Sequence, residues 1–174
     1  MQIKKEKTLK YISLAYTINI IPYNDTYKEE ICKFVNESMH KFINRSYKKR
    51  EDIENISDYY FKRGGIFFLA IDTNTDKIIG SIALETRVSY GILKRFYVDC
   101  DYQNKGIGQQ LFACLEEFII HNTSCRKIYL TCAKVLKNAH RFYKKNGFIQ
   151  ISKPDIDLHY ANDDDFFVKC YDRN

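Results

Sequence analysis

Residues 97–111, YVDCDYQNKGIGQQL, are the most informative segment of the sequence. It predicts the end of a strand, a polar loop and the start of a helix. The first turn of a helix has backbone N–H groups without internal partners, and its dipole adds about half a positive charge. Glycine at 106 and 108 removes side chains that would keep an anion from these N–H groups, and Lys105 adds a charged donor. The loop therefore predicts binding of a phosphate or pyrophosphate.

The known nucleotide-binding loops do not fit this segment. A Walker loop requires G-K-[ST], which is missing, and the dinucleotide fingerprint requires a third glycine where Leu111 stands. A G-x-G pair alone is weak, because glycines at a strand-to-helix turn are more often structural. From the loop alone, a structural turn and an anion site both stay open.

The segments on either side of the loop predict the rest of the fold. Three strands precede it with short turns between them, which favours an antiparallel meander. The predicted strands are residues 16–21, 66–72, 77–86, 92–99, 127–131, 148–152 and 166–171, and the predicted helices are residues 27–42, 52–61, 107–119 and 138–146. The sum is an α/β or α+β domain, with a mixed, mostly antiparallel sheet flanked by helices on both faces.

Length and composition predict one domain over residues 1–174, with residues 1–14 as a candidate N-terminal extension. The composition, 45% hydrophobic and 29% charged, excludes a disordered chain. The longest apolar run, residues 66–71, is far short of the roughly 20 residues that span a membrane. The lysine-flanked apolar residues 11–16 are too short for a signal peptide.

Charge and cysteine content indicate which classes of ligand the protein could bind. The net charge of +6 suits an anionic ligand but is too small and dispersed to require nucleic acid. The six cysteines form no C-x-x-C pair and no zinc spacing with histidine, so we expect no metal. They are typical of reduced thiols in a cytoplasmic protein.

Two blocks of sequence together resemble one family. LKRFYVDCDYQNKGIG at residues 93–108 and NAHRFYKKNGF at residues 138–148 resemble the GNAT superfamily of acyl-CoA-dependent N-acetyltransferases. The first block resembles the signature Q/R-x-x-G-x-G/A of that family, at Gln103, Gly106 and Gly108. The second resembles its A-x-x-F-Y-x-x-x-G-F helix, at Ala139, Phe142, Tyr143, Gly147 and Phe148. Both blocks in this order, with a strand between them, make the resemblance specific.

The resemblance implies acetyl-CoA as the co-substrate and a V-shaped splay between two central strands. The loop amides would hold the pyrophosphate of coenzyme A, and they map to Gln103, Asn104, Lys105, Gly106, Ile107 and Gly108. Backbone groups of Phe96 and Val98 would pair with the pantetheine arm like an added strand. The N–H of Val98 would face the thioester carbonyl and stabilise its oxyanion.

The second block implies contacts from the helix side of the cofactor. Phe142 and Tyr143 would border the coenzyme. Leu136 stands where many relatives carry an asparagine; Asn138 is the candidate substitute, as a helix cap or a cofactor contact, in a different register.

The resemblance also implies that Tyr143 protonates the departing thiolate. A thiol of pKa about 8.5 can accept a proton from a phenol of pKa about 10 held against it. Without the resemblance, Phe142 and Tyr143 would be taken as core aromatic residues.

The residue that would remove a proton from the acceptor amine, which must be neutral to attack, is harder to assign from the sequence. A lysine-like ammonium costs about 4.6 kcal/mol to deprotonate at pH 7. Where many relatives place a glutamate, this chain has Ile92, so Glu85 on the neighbouring strand is the candidate base. Asp99 and an ordered water are the alternatives.

These residues predict an N-acetyltransferase that moves an acetyl group from acetyl-CoA to a primary amine of a small molecule or peptide, by direct attack in a ternary complex. We expect no metal, nucleic acid or membrane partner, and a homodimer is the expectation from relatives. The alternative is a non-catalytic acyl-CoA-binding or sensing domain, because Ile92 replaces the carboxylate. Residues 163–165, three aspartates, would attract a cationic amine if they border the acceptor site.

Overall fold

The computed structural model describes residues 10–13, 16–44, 50–158, 161 and 164–171. Its elements are β1 (Lys10–Ser13), β2 (Tyr16–Pro22), α1 (Lys28–Ile43), α2 (Glu51–Glu54), α3 (Ile56–Tyr59), β3 (Ile66–Asp72), β4 (Lys77–Thr86), β5 (Tyr90–Val98), α4 (Ile107–Asn122), β6 (Lys127–Ala133), α5 (Lys137–Lys145), β7 (Ile149–Ile151) and β8 (Asp164–Cys170). Short 3₁₀ turns precede α1, follow α3 and precede the 103–106 loop. No helix in the described ranges is both long and apolar enough to cross a membrane.

The strands form one sheet in the order β1-β2-β3-β4-β5-β6-β8-β7. All neighbours are antiparallel except β5 and β6, which are parallel. This confirms the mixed, mostly antiparallel sheet. Residues 10–13, within the candidate N-terminal extension, pair with β2 along its outer edge. The remaining residues of that extension, 1–9 and 14, lie outside the described residues.

One predicted helix is broken. Residues 52–61 were expected to form a single helix, but they divide into α2, α3 and a 3₁₀ turn at Phe61–Arg63. The break falls at Asn55, whose φ of −133° and ψ of 54° are not helical. Asparagine favours helix ends because its side chain competes for backbone hydrogen bonds.

Helices cover both faces of the sheet, as predicted. Strand side chains alternate between faces, so Phe67, Leu69 and Ile71 of β3 pack against α1, α2 and α3, whereas Ala70 packs on the α4 side. The α4 side contains Leu111, Phe112, Leu115 and Ile119, all with no exposed surface. These two apolar layers cover both faces of the sheet and so hold its central strands in place.

The central strands separate at one end. β5 and β6 pair only where Tyr90, Gly91 and Ile92 face Lys127, Ile128 and Tyr129. β5 then continues to Val98 and β6 to Ala133 without further pairing between them. The expected V-shaped splay is confirmed, and it leaves one edge of β5 open.

A β-bulge lies in the open half of β5. The register with β4 shifts between Ser81, which faces Tyr97, and Ala83, which faces Lys94. Arg95 takes a φ of +54°, a region that non-glycine residues seldom occupy. Such a bulge bends the strand and redirects its side chains. Here it turns both Lys94 and Arg95 toward α2 and α3.

Candidate active site

A cavity of about 1110 Å³ fills the V between β5 and β6. The open half of β5 forms one wall, and Thr131, Cys132 and Ala133 of β6 form the other. The loop before α4 closes one end together with α5, and residues of α1 and α2 border the other end. The cavity is therefore bordered both by the glycine-containing loop before α4 and by α5, which carries the second sequence block.

The loop before α4 presents backbone N–H groups to this cavity. Gly106 is the N-cap of α4 with φ +81°, and no side chain caps the helix. A Cβ on Gly108 would lie 3.5 Å from Phe96 and 3.9 Å from Phe142, so glycine keeps the first turn open beside the aromatic wall. Helix N-termini of this kind bind anions through their N–H groups and dipole.

Five of the six loop residues singled out by the sequence line the cavity, and one points elsewhere. The lining residues are Gln103, Asn104, Gly106, Ile107 and Gly108. Lys105 instead donates from Nζ to the backbone oxygen of Asp101, at 2.7 Å, and lies over the ring of Tyr102. Its expected contact with the pyrophosphate would require the side chain to turn.

The end of β5 offers an amide to the cavity. The N–H of Asp99 donates to the backbone oxygen of Ile79 on β4, at 2.9 Å. Because successive amides of an extended chain point to opposite edges, the N–H of Val98 points away from β4, toward the splay. Gln103 Nε2 donates to the Val98 oxygen, at 3.1 Å, and so ties the loop to this strand end.

Aromatic rings connect β5 to α5 on the cofactor side. The ring of Phe96 is 5.2 Å from that of Phe142 and 6.3 Å from that of Tyr143, centroid to centroid. Tyr143 is 6% exposed and lines the cavity, and its hydroxyl has no hydrogen-bond partner among the described residues. Burial raises its pKa well above 10, with a further contribution from Cys132. The phenol is therefore protonated at neutral pH and borders the cavity.

The start of α5 provides a further polar group. Leu136, which replaces the asparagine of many relatives, is the N-cap of α5 and lines the cavity without capping it. Asn138 lies two residues further on, is exposed and also lines the cavity. Its Oδ1 accepts a hydrogen bond from Arg141, at 2.5 Å. Asn138 is thus a lining residue, not a cap.

Glu85 lines the cavity on its β4–β5 wall, and its Oε1 takes part in an ion pair but in no hydrogen bond with the described residues. Its side chain is 1% exposed and accepts from Tyr59 Oη at 2.9 Å and from Lys94 Nζ at 3.0 Å, while Arg87 pairs with its other oxygen. Burial alone would raise the pKa of Glu85, but the neighbouring Lys94, Tyr59 and Arg87 outweigh burial and lower it. The carboxylate is ionised at neutral pH, and a low pKa makes it a weak proton acceptor.

The other carboxylates considered from the sequence are placed differently. Asp99 caps the 3₁₀ turn that follows β5 and accepts from the N–H of Asp101; it does not line the cavity. Of the three aspartates at residues 163–165, Asp164 lines the cavity and Asp165 lies 3.8 Å from His140, while residue 163 is outside the described part of the chain. Glu85 is therefore the buried carboxylate of the β4–β5 wall.

The sequence did not reveal a second buried ion pair behind β5. Arg95 donates from Nε and Nη2 to the two oxygens of Asp52, at 2.8 and 2.7 Å, and Tyr60 donates to the same carboxylate at 2.8 Å. Burial would raise the pKa of Asp52, but Arg95 and Tyr60 lower it. The sequence does contain a signal for this pair. Lys94 and Arg95 are consecutive cations within a strand, which indicates that the alternation of side chains between the two faces of the sheet is interrupted there.

The open edge of β5 beside the uncapped N-terminus of α4 is the arrangement that the resemblance to the GNAT family implies. The model of the acetyltransferase (GNAT) family matches residues 29–148, and the chain belongs to that family. It is therefore an enzyme of the acyl-CoA-dependent N-acyltransferase class. Among the described residues, no three His, Cys, Asp or Glu side chains gather as a metal site.

Solved and curated relatives agree with the family. A GNAT-family acetyltransferase from Staphylococcus aureus Mu50 is 32% identical, with a TM-score of 0.77 over 88% of this chain and 98% of that chain. The spermine/spermidine N(1)-acetyltransferase of Bacillus subtilis (strain 168) is 34% identical over 56 residues, 32% of this chain and 37% of that protein. The N-acetylaspartate synthetase of Xenopus tropicalis is 31% identical over 102 residues, 57% of this chain and 36% of that protein. The chain thus spans little more than a third of either curated relative.

Proposed function

We propose that this protein transfers an acetyl group from acetyl-CoA to a primary amine, by direct attack in a ternary complex. One observation carries the proposal: the open edge of β5 ends at the uncapped start of α4, and both border one cavity with Tyr143. The pyrophosphate of the coenzyme would meet the amides of residues 103–108. Its pantetheine arm would pair with Phe96 and Val98, flanked by Phe142 and Asn138.

The transfer step follows from these positions. The neutral amine attacks the thioester carbonyl, a C–N bond forms, and the Val98 N–H stabilises the oxyanion. The C–S bond then breaks, and the thiolate takes the proton of Tyr143 Oη. Because the apolar surroundings that raise the pKa of the phenol also disfavour a thiolate, the two groups stay matched for proton transfer.

We assign removal of the amine proton to Glu85. Since Oε2 already accepts from Tyr59 and Lys94 and Oε1 is ion-paired with Arg87, the proton would travel through a water, and the low pKa of Glu85 would release it to solvent. The proposed protein is a single acetyltransferase domain of the cytoplasm, a location that suits its six free thiols. Pairing into a homodimer remains an expectation from relatives.

The second candidate is an acyl-CoA-binding domain without catalysis, favoured by Ile92 at the position where many relatives carry a glutamate. Release of CoA from acetyl-CoA, measured with a panel of primary amines, separates the two. We expect turnover, and we expect Tyr143→Phe to lower kcat by about 10²-fold or more while the Kd of acetyl-CoA is unchanged. Tight binding of acetyl-CoA without turnover of any amine would establish the binding domain instead.

A further inference from the structure

We propose that the acceptor is an amine that also bears a carboxylate, namely a free amino acid in its zwitterionic form, and that Arg87 and Lys94 hold that carboxylate. The inference rests on the proposed acetyl transfer and specifies its second substrate. It follows from the charges on the β4–β5 wall and on the β6 side of the cavity.

The β4–β5 wall carries more positive charge than its own carboxylate neutralises. Glu85, Tyr59, Arg87 and Lys94 form one group, hereafter the Glu85 cluster. It contains two cations and one anion, because the phenol of Tyr59 is neutral and its pKa is raised by burial. The cluster therefore has a net charge of +1, and both cations line the cavity.

The cluster also has hydrogen-bond donors left over. Lys94 Nζ uses two of its three N–H bonds, on Glu85 at 3.0 Å and on Tyr59 at 3.2 Å. Arg87 reaches Glu85 through Nη2, and its Nε and Nη1 have no acceptor among the described residues. The side chains of Lys94 and Arg87 are 20% and 34% exposed, so their remaining donors are accessible from the cavity. Two cations with spare donors are the usual partners of a carboxylate.

The β6 side of the cavity carries charges of both signs, because Lys137 and Lys145 of α5 line it at the end that the loop before α4 closes. Asp157 and Asp164 line it, and Asp164 is placed there because it begins β8 opposite Ala133. Arg50 and Glu51, at the rim, add one charge of each sign. The carboxylates of Asp157 and Asp164 thus line the same cavity as the cationic Glu85 cluster, and a zwitterion is complementary to this pair of opposite charges.

This arrangement selects against a polyamine. A polyamine with several ammonium groups would place one of them beside Lys94 or Arg87, where like charges repel. The same cations lower the pKa of an amine held near them, because they disfavour its charged form. An amino acid bound by its carboxylate would therefore also lose its ammonium proton more readily.

The test compares each amine with and without its carboxylate, with kcat/KM referred to the neutral amine because amidation also lowers the pKa of the amino group. Each of the twenty L-amino acids is assayed beside its α-carboxamide, with spermidine as the polyamine arm. We expect the preferred amino acid to exceed its amide in kcat/KM by about ten-fold or more, which corresponds to one charge-assisted hydrogen bond. Lys94→Met should reduce that ratio to about two-fold or less, and Lys94→Arg should restore most of it.

A matched control removes a lysine outside the site. Lys62 pairs with Asp58 at 2.8 Å on the exposed surface, so Lys62→Met removes one positive charge and should leave the acid-to-amide ratio unchanged. Preference for the amides or for spermidine, or a ratio that survives Lys94→Met, would overturn the proposal while acetyl transfer stands. If no amine is turned over, the same pairs are titrated calorimetrically into the CoA-loaded protein, where ten-fold tighter binding of the acid supports the carboxylate site and equal binding refutes it.

Discussion

Asp52 on α2 holds Arg95 in a left-handed backbone conformation in the middle of β5. The bidentate pair between them is buried, with 8% and 7% of the two side chains exposed. Ser81 Oγ donates to the backbone oxygen of Arg95, at 2.7 Å, and secures the bulge from β4. The bulge precedes Val98 by three residues, so the pair joins the α2 layer to the strand end that faces the cofactor.

Removal of one partner of this pair should be costly. We expect Asp52→Ala to lower the free energy of unfolding by about 3–5 kcal/mol, because it leaves a buried guanidinium without its anion. The double variant Asp52→Leu with Arg95→Met should lose less than the single variant, since it buries no charge. Urea unfolding measures both. A loss under about 1 kcal/mol for Asp52→Ala would show that the pair does not hold the bulge.

The same pair should make stability depend on pH in the acid range. The pKa of Asp52 lies below its ordinary value of 3.8 in the folded state. A group with a lowered folded pKa stabilises fully above its unfolded pKa, and this stabilisation is lost as pH falls through the folded pKa. The stability advantage of the wild type over Asp52→Asn should therefore be constant above about pH 5 and shrink below about pH 4. An advantage that grew on acidification would contradict an ionised Asp52.

Substitution of the two glycines of the loop should have different effects, one on the stability of the fold and the other on cofactor binding. Gly106 has φ +81°, so Gly106→Ala should destabilise the fold by about 1–2 kcal/mol. A Cβ on Gly108 would make only ordinary contacts of 3.5 to 3.9 Å with Phe96, Val98 and Phe142, so Gly108→Ala should fold normally. Its methyl group would instead narrow the cofactor side of the cavity and raise the Kd of CoA by roughly ten-fold.

Thermal unfolding and calorimetric titration with CoA check this pair of variants. Each serves as the control of the other, because the two glycines are two residues apart in the same turn. An unchanged Kd in a well-folded Gly108→Ala protein would mean that the coenzyme does not approach this turn.

Local periodicity predicted seven of the eight described strands and the apolar faces of α1 and α4, but it missed β1 and the break between α2 and α3. The sequence also identified the loop and α5, since glycine and aromatic spacing there reflect backbone requirements. It could not reveal which charges meet across the sheet. The bulge at Arg95 shifts the register of β5, and the partners of Lys94 and Arg95 come from α2, α3 and the β4 hairpin. Such contacts join segments up to 43 residues apart and leave no local pattern.

The role of Glu85 can be tested by the pH dependence of the defect in kcat/KM that Glu85→Gln causes. If Glu85 removes the amine proton, Glu85→Gln should lower kcat/KM most near pH 6 to 7, where an amine of pKa near 8 to 10 is mainly charged. The defect should diminish toward pH 10, because solution then supplies the neutral amine. If Glu85 only balances Lys94 and Arg87, the variant would instead show the same defect at every pH. Rate profiles of both proteins with the best amine, from pH 6 to 10, distinguish a proton acceptor from a counter-ion.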